Sequence, residues 1–464
     1  MSRSPLKGSH PKDSQPRNEL GQDLSLRADK PDLVRAIGRW SLIALMVNFI
    51  VGAGIFGLPS AVAGILGSQS PIAYLIAAAG MGVIAACVAE VASRFRQAGG
   101  PYLYAKAAFG RFMGLQTGWL LWLTRISSAA AVANVFIDYL TGFWPPAKEP
   151  VSRVAILTIL IGGLALVNIR GVKMGVRVSD FFTIAKLGPL LLLVAAGILF
   201  IHRHGSAVPT VPESHPVGAW LSAVLLLIYA FSGFESALIP AGEVKNPGRN
   251  IPLAVMLALP VVATIYFLVQ VVVVHTLANS AQTARPLSAA AYVFGGNTMA
   301  TVIALGALLS TFGSLAANMI ANPRVTFAFA QQGDFPRWFA AIHRRYQTPY
   351  ISIIAFAILL WALAVLGTFR WNAILSAISR LFAYIITCAA LPMLRKKLPG
   401  QEGFHLPGGV VFAVVGILFA LVLASRMGLP ELIALAITAA LSFLNWIVVR
   451  RKYPSGEDSS GIAG

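Results

Sequence analysis

The sequence contains few charged residues and only two cysteines. Charged residues make up 11% of the 464 residues, whereas hydrophobic residues make up 57%. About a quarter of the residues of a soluble domain are charged, so this composition argues against a string of soluble domains. Cys87 and Cys388 both lie inside apolar stretches. We therefore predict packing roles for them, with no disulfide framework and no thiol or metal site.

Signatures of three other function classes are also missing. The pattern GxxxxGK[ST] does not occur in the sequence, which argues against direct ATP drive. His202, His204 and His215 cluster near one predicted loop, but without the carboxylate or cysteine spacing of a metal site, so we favour solvated histidines over a membrane enzyme. No ring of charges marks a channel pore. The sequence thus predicts neither an enzyme nor a channel, and no cofactor.

Acidic residues are scarce, at 17 against 36 lysines and arginines, which gives a formal net charge of +19. The basic residues concentrate in alternate connections between apolar runs, for example at 94–111, 170–177 and 395–397. Basic residues accumulate in the cytoplasmic loops of membrane proteins, and this pattern explains the charge better than nucleic-acid binding does. We predict cytoplasmic termini and a location in the cytoplasmic membrane, with lipid rather than nucleic acid as a partner.

Long apolar runs dominate what is present. A membrane span needs about 20 predominantly apolar residues, and twelve stretches approach or exceed that length. They cover residues 41–67, 71–93, 112–140, 151–168, 178–201, 217–241, 252–278, 298–321, 350–367, 371–394, 409–425 and 430–449. The fold class predicted from them is an all-α polytopic membrane protein with 12 transmembrane helices.

The two ends of the chain differ from the rest in composition. Residues 1–35 are rich in serine, proline and charged residues and lack the apolar core of a signal peptide. We predict a disordered basic cytoplasmic tail there, a second short cytoplasmic tail at 453–464, and one transmembrane domain at 36–452.

The first apolar run is interrupted at residues 51–59, whose sequence is VGAGIFGLP. Glycine inside a helix costs about 1 kcal/mol relative to alanine, and it lets the backbone unwind or approach a ligand closely. In lipid, backbone groups freed by unwinding need partners from protein, water or ligand. We predict that this span is broken at mid-depth beside a cavity, as in a transporter.

The sixth apolar run is interrupted in the same way at residues 229–237, YAFSGFESA. Paired glycine interruptions in two halves of a chain indicate a transporter binding site. The two spans correspond if five helices are followed by five inverted ones, which predicts core repeats at about 36–202 and 216–397 and two extra helices at about 408–450. The alternative is that these glycines merely let neighbouring helices pack closely, and the paired positions favour the first interpretation.

Several charged residues lie deep in the predicted spans. Arg125 lies ~20 Å along the third span, too deep to reach the interface. We name Glu235 as its possible partner and favour a structural ion pair over substrate contact, because buried charges are usually neutralised by neighbours. Lys186 lies ~12 Å inside the fifth span, which predicts an interior ammonium group. Arg380 lies in the tenth span without a predicted partner.

Five motifs together resemble the amino acid, polyamine and organocation (APC) superfamily. They are GAGIF in span one, FRQAGGPYLYAKAAFG after span two, NIRGV, SGFES in span six and EVKNPGRNIP after it. The resemblance covers roughly residues 35–452 and rests on the order and spacing of the motifs. It implies a LeuT-like inverted-repeat fold with discontinuous helices 1 and 6, of the sodium-independent amino acid permease type.

The resemblance also implies a site. Backbone N–H groups at the first break would bind a substrate carboxylate at a half-helix N-terminus, and carbonyl groups at the second break would bind the substrate ammonium, with Tyr229 and Phe231 shaping or gating the pocket. The substrate-binding residues predicted in this way are Gly52, Ala53, Gly54, Ile55, Tyr229, Ala230, Phe231, Ser232 and Gly233. Lys186 matches a lysine of sodium-independent members and would stand where sodium-coupled relatives bind an ion.

The leading functional hypothesis is secondary active amino acid transport by alternating access. Proton-coupled symport is favoured over amino acid or polyamine exchange, and a channel or an enzyme is a more distant alternative. A buried Lys186 amine loses hydration, which would let a proton come and go; the opposing possibility is a permanent charge that replaces sodium in an exchanger. Neither the amino acid carried nor the oligomeric state follows from the sequence.

Overall fold

The computed structural model describes residues 37–95, 99–171, 176–206, 214–238, 244–397 and 403–452, with 176–185 and 451–452 described by their backbone alone. The tails predicted at 1–35 and 453–464 lie outside these residues. Throughout the described ranges the chain is almost entirely helical and forms no strand ladder, since its one extended pairing is an isolated bridge between Ile37 and Val244. The predicted all-α class is therefore confirmed.

Fifteen α-helices lie in the described part of the chain. They are α1 Arg39–Ile50, α2 Gly54–Leu66, α3 Ser70–Ser93, α4 Pro101–Phe109, α5 Arg111–Leu140, α6 Pro150–Arg170, α7 Val176–His204, α8 Val217–Phe231, α9 Phe234–Ala237, α10 Pro247–Thr276, α11 Pro286–Gln331, α12 Tyr350–Leu366, α13 Phe369–Lys397, α14 Gly409–Ala424 and α15 Leu429–Lys452.

Membrane-spanning length is reached by nine helical segments among the described residues, and α1, α12 and α14 are shorter apolar helices. The chain is thus a multi-pass membrane protein. Each of the twelve predicted apolar runs coincides with one of these helices or with a broken pair of them. The count of twelve spans stays a prediction, because three of the helices are shorter than a full crossing requires.

The short segment between the second and third predicted spans forms a helix bounded by two glycines. Gly100 and Gly110 adopt positive φ angles of 56° and 89° and bound α4, and Pro101 occupies its first turn, where the missing N–H is tolerated. Tyr102 and Tyr104 are both buried. The helix therefore turns its aromatic side chains inward, as expected of an interfacial segment.

The long helix α11 is two helices joined at a kink. Gly296 has φ 61° and ψ −159° inside it, a conformation that L-residues with a side chain rarely adopt. The part of α11 before the kink precedes the eighth predicted span, which begins at residue 298.

Helix packing separates an inner set of helices from an outer set. Helix α5 packs against α13, α11 and α4, α10 packs against α3 and α1, and α2 packs against α8. The outer helices expose large apolar side chains, among them Ile159, Val411 and Ile437. Contiguous exposed apolar surface of this kind matches a lipid-facing role. The broken helices thus lie in the inner set.

Two acidic residues bind the ends of several helices together. The Glu90 carboxylate of α3 accepts hydrogen bonds from Arg94, from Arg395 of α13 at 2.7 and 2.8 Å, and from the Leu406 amide. Asp334, just after α11, pairs with Arg111 at 2.8 Å. Both clusters lie at the side predicted to be cytoplasmic, so the basic connections there are partly neutralised by contacts within the fold.

Candidate functional site

The first break separates α1 from α2 by three residues. Helix α1 ends at Ile50, Val51 is extended with φ −71° and ψ 91°, and α2 begins at Gly54. A backbone hydrogen bond of 3.1 Å from Phe56 N–H to the Ala53 carbonyl opens α2. The Gly54 and Ile55 amides of the first turn have no acceptor further back in α2, because the start of a helix offers none. The start of α2 is therefore a suitable place for an anionic group.

The open part of this break is at Gly52. A Cβ atom built on Gly52 would have only the Ile50 carbonyl oxygen of its own turn nearby, at 3.8 Å. Gly54, in contrast, faces α8, and a Cβ there would lie 3.2 Å from the Ala230 Cα atom and 3.3 Å from the Tyr229 ring. The two breaks thus touch at Gly54, and free space beside the backbone is found at Gly52.

The second break separates α8 from α9 by two residues. Ser232 is extended, with φ −85° and ψ 166°, and Gly233 is left-handed at φ 112°. A side chain at Gly233 would place its Cβ atom 2.5 Å from the carbonyl oxygen of Phe49 in α1. Glycine is therefore required here both by the backbone conformation and by the close approach of α1.

The polar groups of the second break are largely engaged inside the protein. The Ser232 hydroxyl donates to the Tyr229 carbonyl at 2.7 Å, and the Gly233 amide donates to Glu235 Oε2 at 3.0 Å. A carbonyl oxygen can accept two hydrogen bonds. One acceptor position of the Tyr229 carbonyl, which the sequence predicted as an ammonium ligand, is thus already occupied.

Tyr266 of α10 connects the two breaks, and the sequence did not point to it. Its buried hydroxyl lies 2.9 Å from the Ile50 carbonyl at the end of α1 and 3.4 Å from the Ala230 carbonyl at the end of α8. A donor that reaches both carbonyls holds the two helix ends at one depth. The available signal was a polar aromatic side chain in the otherwise apolar run 252–278.

The aromatic residues of the second break point in different directions. Phe231 is fully buried and packs near Tyr266 and Tyr74, with ring centroids 5.3 and 6.4 Å away. It therefore belongs to the core between α8, α3 and α10. Tyr229 packs edge-on against Phe369 at 6.2 Å. Phe369 also contacts α2, because a Cβ atom at Gly57 would lie 2.6 Å from its ring.

Lys186 lies at the broken end of α1. Its ammonium nitrogen donates to the Asn48 carbonyl at 3.0 Å and to Asn48 Oδ1 at 3.1 Å, and the side chain is buried. The last carbonyl groups of a helix carry partial negative charge and favour a cation. The structure therefore brings the amine of span five to the first break, and Asn48 is a contact that the sequence did not predict.

Glu235 forms its ion pair with Arg380, so the expected pairing with Arg125 is wrong as a direct contact. Arg380 Nη1 lies 2.6 Å from Glu235 Oε1, and the Tyr384 hydroxyl donates to Oε2 at 2.9 Å. Arg125 donates instead to Asn322 Oδ1 at 2.8 Å. The sequence placed these charges inside predicted spans but could not indicate which helices would be neighbours.

A separate cavity lies away from the breaks, near the kink of α11. Its volume is about 530 Å³, and its lining includes Arg285, Tyr292 and Asn297. Thr283 also lines this cavity, and its carbonyl accepts a hydrogen bond of 2.6 Å from the Ser60 hydroxyl of α2. In the described part of the chain no group of three or more His, Cys, Asp or Glu side chains is arranged to hold a metal ion.

Comparison with known proteins agrees with this architecture. The chain is 30% identical to an uncharacterized transporter of Mycobacterium tuberculosis over 372 residues, which cover 78% of this chain and 81% of the relative. It is 27% identical to the branched-chain amino acid permease BcaP of Bacillus subtilis, over 94% of this chain and 98% of that protein. It is 26% identical to the methylthioribose transporter of Bacillus subtilis, over 92% and 94%.

The sequence model of the family described as amino acid permease matches residues 37–447. This range includes both breaks, Lys186 and the Glu235–Arg380 pair. It also covers nearly all of the described helices. The predicted resemblance to the APC superfamily is therefore confirmed, and the chain belongs to the amino acid permease family.

Proposed function

We propose that this protein is a secondary transporter that moves amino acids across the cytoplasmic membrane by alternating access about its two helix breaks. The observation that carries the proposal is the meeting of the start of α2 with the end of α8, with open space at Gly52. Unwound backbone at membrane depth is tolerated where it lines a protein cavity. Family membership supports a transporter rather than an enzyme.

The substrate would bind across the two breaks. Its carboxylate would bind the backbone amides of Gly52, Ala53, Gly54 and Ile55 at the start of α2, where the helix dipole favours an anion. Its ammonium would donate hydrogen bonds to carbonyl oxygens of the second break that still have a free acceptor position. The residues of this part of the site are Tyr229, Ala230, Phe231, Ser232 and Gly233. Each group of the zwitterion then faces the helix end of opposite partial charge.

Access from the two sides would be controlled by different contacts. Tyr229 and Phe369 cover the breaks from the side predicted to be external, and the Glu235–Arg380 pair lies toward the other side. The Ile37–Val244 bridge ties the chain before α1 to the chain after α9. We infer that α1, α2, α8 and α9 rock together as the inverted repeats at about 36–202 and 216–397 exchange access, with both chain termini cytoplasmic.

Lys186 would couple transport to protons. The hydrogen bonds that its buried amine makes within the described residues go to two neutral oxygen atoms of Asn48, so loss of a proton would leave no unpaired anion at these partners. Proton-coupled symport is the favoured mode. Amino acid or polyamine exchange, with Lys186 as a fixed positive charge, is the second candidate, and the helix-end carbonyl at Asn48 is the observation that favours it.

Uptake into proteoliposomes tests the proposal. Purified protein is reconstituted and given a panel of radiolabelled amino acids, with an inward proton gradient, with a sodium gradient, or with unlabelled amino acid trapped inside. We expect accumulation that depends on the proton gradient and not on sodium. Absence of uptake for every amino acid, with folded protein in the vesicles, would contradict the proposed function.

The variant Lys186→Ala separates the two modes of coupling. If Lys186 exchanges a proton, the variant loses gradient-driven accumulation but retains exchange of labelled for unlabelled amino acid. If Lys186 is a fixed charge, both activities fall together. Normal rate and normal pH dependence in Lys186→Ala would rule out any coupling role. Arg153→Gln, which changes a basic side chain bonded to Asn134 elsewhere, is the matched control and should retain both activities.

A further inference from the structure

Positive charge exceeds negative charge in the described core near the breaks. Lys186 and Arg380 are buried, and Arg125 lies in the middle of α5, a helix surrounded by α4, α11, α12 and α13. Glu235 is the acidic side chain that the described residues place beside Arg380 and within range of Arg125. A buried charge is costly unless it is paired. Among the described side chains, this part of the core therefore carries an excess of positive charge.

The other buried acidic side chains of the described chain lie elsewhere. Glu90 is near the end of α3 and is bound by two arginines. Asp334 follows α11 and pairs with Arg111. Glu431 lies in the first turn of α15. These three acidic groups are therefore not placed to neutralise the cations in the middle of the spans.

Glu235 is committed to partners other than Arg125. Its two oxygen atoms accept from Arg380, from the Tyr384 hydroxyl and from the Gly233 amide, at 2.6, 2.9 and 3.0 Å. Arg125 has a neutral partner, the side-chain oxygen of Asn322. The amide group of Asn322 is itself held by Asn318 Oδ1 at 2.9 Å, so its oxygen is turned to the guanidinium.

Both guanidinium groups retain capacity for a further acceptor. Arg380 is 6% exposed, yet its Nε atom has no hydrogen-bond partner in the described structure. Arg125 is only partly buried although it lies at mid-span. A guanidinium carries five N–H donors in a fixed fork that matches a carboxylate. An unpaired buried donor beside a partly buried guanidinium suits a carboxylate acceptor.

This pair lies within reach of the substrate site proposed above. The Tyr229 ring contacts the start of α2 at Gly54, and the Tyr229 hydroxyl contacts the Ser128 carbonyl at 3.4 Å, one turn from Arg125. Arg380 lies close enough to Tyr229 for a charge interaction. A single tyrosine side chain therefore connects the start of α2 to the arginines, and a small two-ended anion can span a similar distance.

We propose that Arg125 and Arg380 form a second carboxylate site, so that the transported substrate is an acidic amino acid. The proposal rests on the proposed transport function and names its substrate class. The α-carboxylate would lie at the start of α2 and the side-chain carboxylate at the two guanidinium groups. A neutral isostere would leave those buried donors unpaired, and a site built for a polar group rejects an analogue that lacks it.

Binding to the purified wild-type protein is the first test. Calorimetry compares L-glutamate and L-aspartate with L-glutamine and L-asparagine, and glutarate tests a dicarboxylate that lacks the amino group. We expect the acidic amino acids to bind at least about tenfold more tightly than their amides, the effect of one charge-assisted hydrogen bond. Equal affinities for glutamate and glutamine would overturn the proposal. Glutarate binding as tightly as glutamate would overturn the assignment to amino acids.

Two variants locate the preference at Arg125. Arg125→Gln should lower glutamate affinity about tenfold and leave glutamine affinity within about twofold. Asn322→Asp keeps the side-chain shape and places a carboxylate against Arg125, so it should also remove the preference. Because the variant loses the amide donor that Asn322 gives to Asn318 Oδ1, thermal unfolding of each variant is measured beside its binding. Arg153→Gln is the control, because Arg153 likewise donates to an asparagine side chain, at 2.6 Å, and its loss should leave the preference intact.

The two proposals fail separately. A glutamate preference that survives in both Arg125→Gln and Asn322→Asp would overturn the assignment of the site to Arg125. Preferential glutamate binding without uptake of any amino acid would leave the second carboxylate site standing and contradict transport. Uptake of neutral amino acids with equal binding of glutamate and glutamine would leave transport standing and overturn the acidic substrate class.

Discussion

The break between α1 and α2 and the break between α8 and α9 interrupt two spans in similar ways, yet their backbones are held differently. At the first break, Gly52 borders open space and the amides at the start of α2 have no intrahelical partner. At the second break, Gly233 is pressed against the Phe49 carbonyl and its amide is bound by Glu235. The first break therefore has free space beside its backbone at Gly52, whereas the second break is braced by Glu235.

The difference comes from the residues that follow each break. Helix α2 continues with apolar residues that cannot bind the freed amides, whereas α9 brings Glu235 within one turn of Gly233. Ser232, which follows the end of α8, donates its hydroxyl to the Tyr229 carbonyl. We infer that the first break provides most of the recognition of the substrate's α-carboxylate. The second break would act mainly as the joint between α8 and α9, held in one conformation by its own hydrogen bonds.

The largest expected effect follows from removing the brace. Glu235→Gln leaves Arg380 without its anion beside Arg125, so we expect a loss of about 3–5 kcal/mol of stability, as for a broken buried ion pair. Arg380→Gln should cost less, because the freed carboxylate can then pair with Arg125. Thermal unfolding of the purified variants measures both. Glu149→Gln is the control at an exposed acidic residue, and equal stabilities for Glu235→Gln and wild type would contradict a bracing role.

The next largest effect concerns the glycine of the braced break. Gly233→Ala combines a left-handed backbone with a Cβ atom 2.5 Å from the Phe49 carbonyl oxygen. We therefore expect the free energy of unfolding to fall by about 1–3 kcal/mol or more. The unfolding temperature and the yield of folded protein should both fall. Gly188→Ala, at a glycine with no atom near its Cβ position, is the matched control. Wild-type stability in Gly233→Ala would show that α1 yields easily at this contact.

Gly52→Ala tests the open break and should separate binding from stability. The added methyl group meets no other part of the described chain, since its nearest neighbour is 3.8 Å away, so the folded protein should survive. The methyl group would fill the space where a carboxylate approaches the backbone, and we expect substrate affinity to fall about tenfold. Calorimetry measures the substrate affinity and thermal unfolding measures the stability of the same preparation. Unchanged affinity would move the carboxylate site away from this break.

A bulkier change at Gly54 would not be a clean test of binding. The Cβ atom of a Gly54→Val side chain would press on Tyr229 and Ala230 of α8, and therefore a loss of binding in that variant would have two causes.

The smallest expected effect is that of Ser232→Ala. Loss of the 2.7 Å hydrogen bond to the Tyr229 carbonyl should lower the free energy of unfolding by about 1 kcal/mol or less, because the freed carbonyl can still accept from other donors. If the second break is mainly the joint between α8 and α9, substrate affinity should stay within about twofold of wild type. A much larger loss of affinity would mean that the Ser232 hydroxyl itself binds the substrate and would remove the contrast between the two breaks.

Much of this arrangement was predictable because it depends on local sequence. Apolar runs of spanning length dictate helices in lipid, and the glycine-containing stretches 51–59 and 229–237 dictate where two of them break. The depth of Lys186 and Arg125 followed from counting residues along a helix. Each of these features involves residues that are close in sequence.

The contacts between helices were not predictable in the same way. Tyr266 reaches carbonyls in α1 and α8, Asn48 receives Lys186, and Glu235 pairs with Arg380 rather than with Arg125. In each case the partners lie on different helices. Their pairing depends on how those helices are rotated and on which of them are neighbours.

The sequence by itself therefore determined the class of the protein, the positions of its two breaks and the family to which it belongs. Only the tertiary structure decided which break is open, which is braced, and how the interior charges are shared. The physical reason is that helix formation and helix breaking are set by nearby residues, whereas hydrogen bonds between helices form only after packing brings distant side chains within about 3 Å of each other.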